Sequence, residues 1–292
     1  MSMDRLQEKI RKTKNPTLLH FELTAEDLPA HLLEQEGNFI KAYTRFVWEI
    51  LEKLQGAVPA VRLSFGSFAL LGDEGLAALA KISDKAHKLG YYVLMDMPEA
   101  LSFRQAQIQA DLVFHEMFPW YFDGAVISAY IGSDAIKPYA ARLEEKDRSL
   151  FVCVRSGNRS GAELQDLLTG GRHVFEAMSD IVNRFKNTKA TKSGYDRVAI
   201  TGPASSASIL RKMREKYKNL FILVDDFDSP SANAKNCAEA VDKFGHGAVV
   251  CVGSAITAAW RQAENDGLDF AADALEAAER IKKNLTRYFT VL

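Results

Sequence analysis

Charged and polar side chains stand at, or just beyond, the C-terminal ends of short apolar runs: Glu22, Arg62, Asp96, Tyr130, Arg155, Asn158, Thr201, Asp225, Asp226 and Ser254. If the runs are strands of one sheet, these residues converge on one mouth. Charges of both signs gathered there are costly to desolvate unless they pair or hold a ligand. Two arrangements meet that condition. Glu22, Arg62, Asp96 and Arg155 can satisfy one another in an internal ion-pair network. Alternatively the mouth is a pocket for an anionic small molecule, with the arginines as clamps, because a guanidinium fork matches carboxylate or phosphate oxygens. On the second arrangement Asp96 and Arg62 are the catalytic candidates. Glu22, Arg155, Asn158, Thr201, Gly253 and Ser254 are then the substrate-binding ones.

Three loops add possibilities. Gly253-Ser254-Ala255 opens a helix after an apolar run, where free backbone N–H groups can hold a phosphate; a plain tight turn reads equally well. Asp225, Asp226 and Asp228 form an acidic cluster that could hold Mg²⁺. Ser229-Pro230 makes Asp228 as good a cap for the next helix, so no metal site is assigned. Ser156-Gly157-Asn158-Arg159-Ser160-Gly161 is a polar loop that closes on a ligand or simply turns the chain. Nucleophilic catalysis has little support. The six histidines are scattered, only His20 lies inside a strand candidate, and neither G-x-S-x-G nor H-E-x-x-H occurs.

The elements that position these residues alternate eight times between a short apolar run and a longer amphipathic segment. The strand candidates are 18–23, 60–65, 91–95, 125–128, 150–154, 198–201, 220–224 and 248–252. Each is mostly apolar rather than alternating, the pattern of strands buried on both faces of a parallel sheet. Between them Phe39, Ile40, Tyr43, Val47, Ile50, Leu51 and Leu54 make one helical stripe that Gly56 ends, and 76–89 and 209–217 read alike. Eight β-then-α units imply a closed (β/α)8 TIM barrel or a long doubly wound sheet. The length of 292 residues and the absence of G-x-G-x-x-G after the first strand favour the barrel, as a single domain over 1–292. Two segments look like additions to it. One is 115–123, with the aromatic cluster Phe118, Trp120, Tyr121 and Phe122. The other is 170–194, with a helix-like stretch over 173–186.

Composition narrows the class. The 47% apolar and 26% charged fractions are those of a soluble globular protein. A formal net charge of −1 points to neither nucleic acid nor an anionic membrane as partner. Met1 to Lys14 is polar, with no apolar run resembling a signal peptide, and no stretch is long and apolar enough to span a bilayer. Three cysteines, Cys153, Cys237 and Cys251, lack metal-ligand spacing and fit a reducing, cytoplasmic setting. No cofactor is implied.

The order of short motifs resembles the type 2 orotidine 5′-phosphate decarboxylases over nearly the whole chain. Tyr130-Ile131-Gly132-Ser133-Asp134-Ala135-Ile136-Lys137-Pro138-Tyr139 is similar to the family's N-P-Y-L-G-x-D-S-x-x-P-F. Phe151-Val152-Cys153-Val154-Arg155-Ser156-Gly157-Asn158, followed by Ala162-Glu163-Leu164-Gln165-Asp166, resembles F-V-L-V-R-T-S-N and A-x-x-F-Q-D. The resemblance implies a (β/α)8 barrel that converts orotidine 5′-phosphate to UMP and CO₂ in pyrimidine biosynthesis, working as a homodimer with the site at the interface. It also implies a nucleotide or other phosphate-bearing ligand.

The family's catalytic signature is D-x-K-x-x-D, whose lysine protonates the carbon losing CO₂. Here the stretch reads Asp96-Met97-Pro98-Glu99-Ala100-Leu101, with proline at the lysine position and leucine at the second aspartate. Arg62 matches the lysine on strand two, and Glu22 the ribose-binding aspartate. Gly157 matches the serine that contacts the pyrimidine, while Asn158 is retained. Asp225-Asp226-Phe227-Asp228-Ser229-Pro230 replaces the glycine-rich P-G-x-G-A-Q-G-G, and Ser254 replaces the phosphate-binding arginine. Lys81, Lys85 and Lys88 belong to the helix before Asp96 and offer no obvious substitute. The resemblance thus carries the fold over strongly. It leaves open a catalytically inactive homologue binding a nucleotide or other ligand, and a barrel enzyme of different chemistry.

Overall fold

In the computed structural model, which describes residues 1–186, 191–263 and 265–291, eight parallel strands close into one ring. They are β1 (Thr17–Phe21), β2 (Ala60–Ser64), β3 (Tyr92–Asp96), β4 (Gly124–Ser128), β5 (Ser149–Cys153), β6 (Val198–Pro203), β7 (Phe221–Asp225) and β8 (Ala248–Val252). Each strand pairs with its sequence neighbours, and β8 returns to β1 through Thr17 opposite Val250. Every boundary falls within two residues of the sequence expectation. Apolar runs of this length, bounded by turns, suit strands covered on both faces.

The period-2 alternation of side chains splits the core in two. Outward residues such as Leu19, Val61, Val93, Val152, Ile200 and Val224 join the helices in one cluster. Inward residues Leu18, Ala60, Leu94, Val126, Phe151, Leu223 and Val249 fill the barrel itself. The inner cluster is completed from below by Met3, Leu6 and Ile10 of the helix Ser2–Thr13, all fully buried. This helix plugs the N-terminal end of the barrel. In the sequence that stretch reads only as polar.

Moving up each strand, the inward row changes from apolar to polar. His20 stands opposite Arg62 in the register of β1 and β2, and Ser64 opposite Asp96 in that of β2 and β3. The outer helices hold this frame. Phe46 of the helix Phe39–Lys53 stacks on Phe270 of the helix Phe270–Leu285, with centroids 4.8 Å apart.

Residues 115–123 are irregular, and the Trp120 indole donates to the Leu112 carbonyl at 2.8 Å. After β5 an antiparallel ribbon pairs Leu168–Thr169 with Arg172–His173. Its turn is Gly170-Gly171, with φ of 57° and 80°, a pair of left-handed positions that glycine adopts without steric cost. The helix expected over 173–186 runs Val174–Asn183, and 187–190 of the second proposed addition lie outside the described residues.

Candidate functional site

A cavity of about 270 Å³ opens at the C-terminal ends of the strands, where a barrel carries its chemistry. It is lined by His20, Glu22, Arg62, Asp96, Ser156, Gly157, Asn158, Asp225, Asp226, Asp228, Cys251 and Gly253. Of the residues singled out in the sequence, Glu22, Arg62, Asp96, Asn158, Asp225, Asp226 and Gly253 therefore meet there. Four others do not face the cavity.

Arg155 is one. Its guanidinium lies against Asp166, Nε to Oδ1 at 2.8 Å and Nη2 to Oδ2 at 3.0 Å, and it donates further to the Ser156 carbonyl. It braces the loop that follows β5, so neither the four-residue network nor the arginine clamp includes it. Thr201 is another: it is fully buried, and its hydroxyl donates to the Arg155 carbonyl at 3.3 Å. Ser254 is exposed outside the cavity, and only its backbone N–H is engaged at the mouth. Tyr130 likewise turns away and donates to the Val154 carbonyl.

The floor is a three-residue ion cluster. Arg62 Nη2 donates to Asp96 Oδ2 at 2.7 Å, and Nη1 reaches both oxygens of Asp225 at 3.2 and 3.3 Å. The expected internal network thus exists in part, with Asp225 in place of Glu22 and Arg155. Burial penalises the Arg62 charge, yet the two carboxylates reverse the effect and hold it more firmly protonated than usual. Burial works against Asp225 too, but Arg62 overrides it and keeps that carboxyl below its ordinary range. Asp96 sits on the other side of the balance: burial outweighs its one bond to Arg62 and raises it.

His20 stands beside this cluster with its Nε2 3.7 Å from Asp96 and no hydrogen-bond partner. Burial, and then the Arg62 charge, push it down to about 3, so the ring is neutral. Alternation along β1 placed it inward; sequence reading noted it in a strand but assigned it no role. Glu22 and Asp226 are raised by burial, Glu22 next by the charge of Asp96 and Asp226 next by that of Asp225.

The rim is where the structure departs furthest from expectation. Gly253-Ser254-Ala255 does present its N–H groups, but Asp228 fills them. Oδ2 accepts from Gly253 at 2.7 Å and from Ser254 at 3.1 Å, and Oδ1 accepts from Ala255 at 3.0 Å. Asp228 is therefore a cap, as one reading held, but of the turn after β8; the helix Ala234–Cys237 is capped by Asn233. The chain around Asp228 decides this, and no local signal encodes it. With Asp225 on Arg62 and Asp228 on backbone, no group of three or more potential metal ligands gathers among the described residues.

Among the described residues, no lysine lines the cavity. Pro98 is exposed in the loop after β3, its carbonyl accepting from Gln109. Lys85 pairs with Glu52 and Lys88 with Asp84, and Lys81 lies along the groove between the helices Phe39–Lys53 and Gly72–Lys88. Among the described residues Arg62 is the one cationic side chain of the lining; its Nη1 and Nη2 are occupied, while its Nε has no hydrogen-bond partner.

No family model matches the chain. It is 26% identical over 254 residues to the orotidine 5′-phosphate decarboxylase of Rhodopirellula baltica, covering 84% of each chain. To the enzyme of that name from Clostridium novyi it is 23% identical over 286 residues, covering 98% of each. Among solved structures, orotidine 5′-monophosphate decarboxylase of Plasmodium berghei superposes with a TM-score of 0.78 at 13% identity, over 98% of both chains. That last likeness establishes the fold.

Proposed function

The chain is a relative of the orotidine 5′-phosphate decarboxylases, and from that premise we propose that its mouth is a small-molecule site of that lineage without decarboxylase chemistry. The observation that carries the proposal is the missing ammonium. Loss of CO₂ from orotidine 5′-phosphate leaves negative charge on a ring carbon, which a positioned cation must stabilise and a proton must quench. Arg62 cannot deliver that proton: a guanidinium stays charged, and two carboxylates fix this one more firmly.

The electrostatics of binding point the same way. Glu22, Asp96, Asp225, Asp226 and Asp228 face the cavity against Arg62 alone, with His20 neutral. That field opposes a phosphate, and the backbone donors best placed to hold one already hold a carboxylate. Among the described residues the Glu22 and Asp226 carboxylates have no hydrogen-bond partner and remain groups at the mouth that a ligand can engage.

A second reading, decarboxylation by this chain, is favoured by the 98% coverage of the Clostridium novyi enzyme. Because the described residues bring no ammonium to the cavity, it calls for a cation from elsewhere, such as another subunit. The geometry allows a homodimer through the loop after β3, where Leu101 is 75% exposed and Phe103 46% exposed. Release of CO₂ from carboxyl-labelled orotidine 5′-phosphate by the pure protein tests the two readings. The first predicts a rate indistinguishable from the uncatalysed one. Turnover that Asp96→Asn abolishes would establish the second.

A further inference from the structure

Past the end of β7 the chain crosses the mouth as residues 226–230, and contacts on two sides hold it there. On one side, the Asp228 carboxylate bridges the backbone N–H groups of Gly253, Ser254 and Ala255 at 2.7, 3.1 and 3.0 Å. On the other, Asp226 adopts a left-handed φ of 62° and lies against Gly157 of the β5 loop. The approach is so close that a side-chain carbon at 157 would collide with the Asp226 Cβ and carboxylate. A turn between them is closed by the Ser229 N–H donating to the Asp226 carbonyl at 3.2 Å. The segment thus ties the β5 loop to the start of the turn after β8. Beneath it lie Arg62 and Cys251.

Neither contact serves the element that follows in sequence, since Asn233 caps the helix Ala234–Cys237. Bonds from an ionised carboxylate to several N–H groups are stronger than neutral ones, and a single side chain controls all of them. We propose that Asp228 is an internal anion that latches the β7 loop across the mouth and so controls access to the pocket floor. The proposal goes beyond the reading above and stands whether or not any nucleotide binds.

Cys251 supplies the reporter. It is 3% exposed and lines the floor, whereas Cys237 is equally buried in a helix outside the cavity. The full-length protein is alkylated under native conditions with a small uncharged maleimide, and each thiol is quantified by peptide mass mapping. Asp228→Ala is expected to speed Cys251 labelling at least about fivefold while leaving Cys237 unchanged. Asp228→Asn, which keeps one acceptor oxygen, falls between. Gly157→Ala pushes the same segment from the opposite side and raises Cys251 labelling without touching Asp228. Amide exchange at Gly253 to Ala255 rises in the Asp228 variants. Cys251 labelling at the wild-type rate in both Asp228→Ala and Gly157→Ala overturns the latch. So does a parallel rise at Cys237, which would mean general loosening of the fold.

Discussion

The identity of a charged residue could be read from the sequence, but its partner could not. That Glu22, Arg62 and Asp96 would meet followed from their places at strand ends. That Arg62 would choose Asp96 and Asp225 depends on how the closed ring turns each strand inward, and no local pattern encodes that. Arg155 shows the same limit: Asp166, only a loop away, captures its guanidinium. Two outcomes follow at this scale. Arg62→Met leaves the half-buried carboxylates of Asp96 and Asp225 without their cation and should cost roughly 1–3 kcal/mol in urea unfolding. A loss under about 1 kcal/mol would mean the cluster is open to water. The second concerns His20, whose folded value of about 3 lies below its ordinary 6.5. Between those values the unfolded chain binds the proton and the folded one does not, so this residue's contribution is full above pH 6.5 and declines as pH falls toward 3. Its size is on the order of 3–5 kcal/mol. Unfolding free energies across that range should fall less steeply for His20→Asn than for the wild type. Parallel curves would show that the ring protonates freely in the fold.

At the scale of elements the sequence was most legible, because all eight strands are short, mostly apolar runs and the helical stripe from Phe39 to Leu54 is strong. The helix Ser2–Thr13 escaped notice for a physical reason. Its inner face consists of Met3, Leu6 and Ile10 among charged neighbours, a stripe too sparse to stand out until the open end of a barrel supplies its partner. That helix is also pinned by polar bonds: Arg5 reaches Asp123 at 2.9 Å, and the Ser2 hydroxyl meets that of Tyr92 at 2.7 Å. Truncating a fully buried leucine typically costs 2–5 kcal/mol, so Leu6→Ala should lower unfolding stability by about that much. The loss should appear without any change in Cys251 accessibility at the far mouth. A near-neutral result would show that the plug is dispensable to the barrel.

On the whole-molecule scale the chain keeps the scaffold of its relatives while the cluster of charges at its mouth is satisfied from within. None of the described helices is long and apolar enough to cross a membrane. Leu101, in the loop after β3, is 75% exposed where the family resemblance implies a charge shared between subunits. If copies associate there, light scattering at micromolar concentration should report a dimer, and Leu101→Lys should shift it to monomer. A monomeric wild type would remove the interface. The deeper claim concerns the vacant role at position 98 and the filled cradle at 253–255. Among the described residues they leave Arg62, already paired with Asp96 and Asp225, as the cation of the lining, and the N–H groups of 253–255 already bonded. Calorimetric titration with UMP tests this most directly. The account predicts no saturable heat, with any affinity weaker than about 1 mM, a binding free energy of only about −4 kcal/mol. A one-to-one isotherm in the low micromolar range, lost in Arg62→Met, would contradict it.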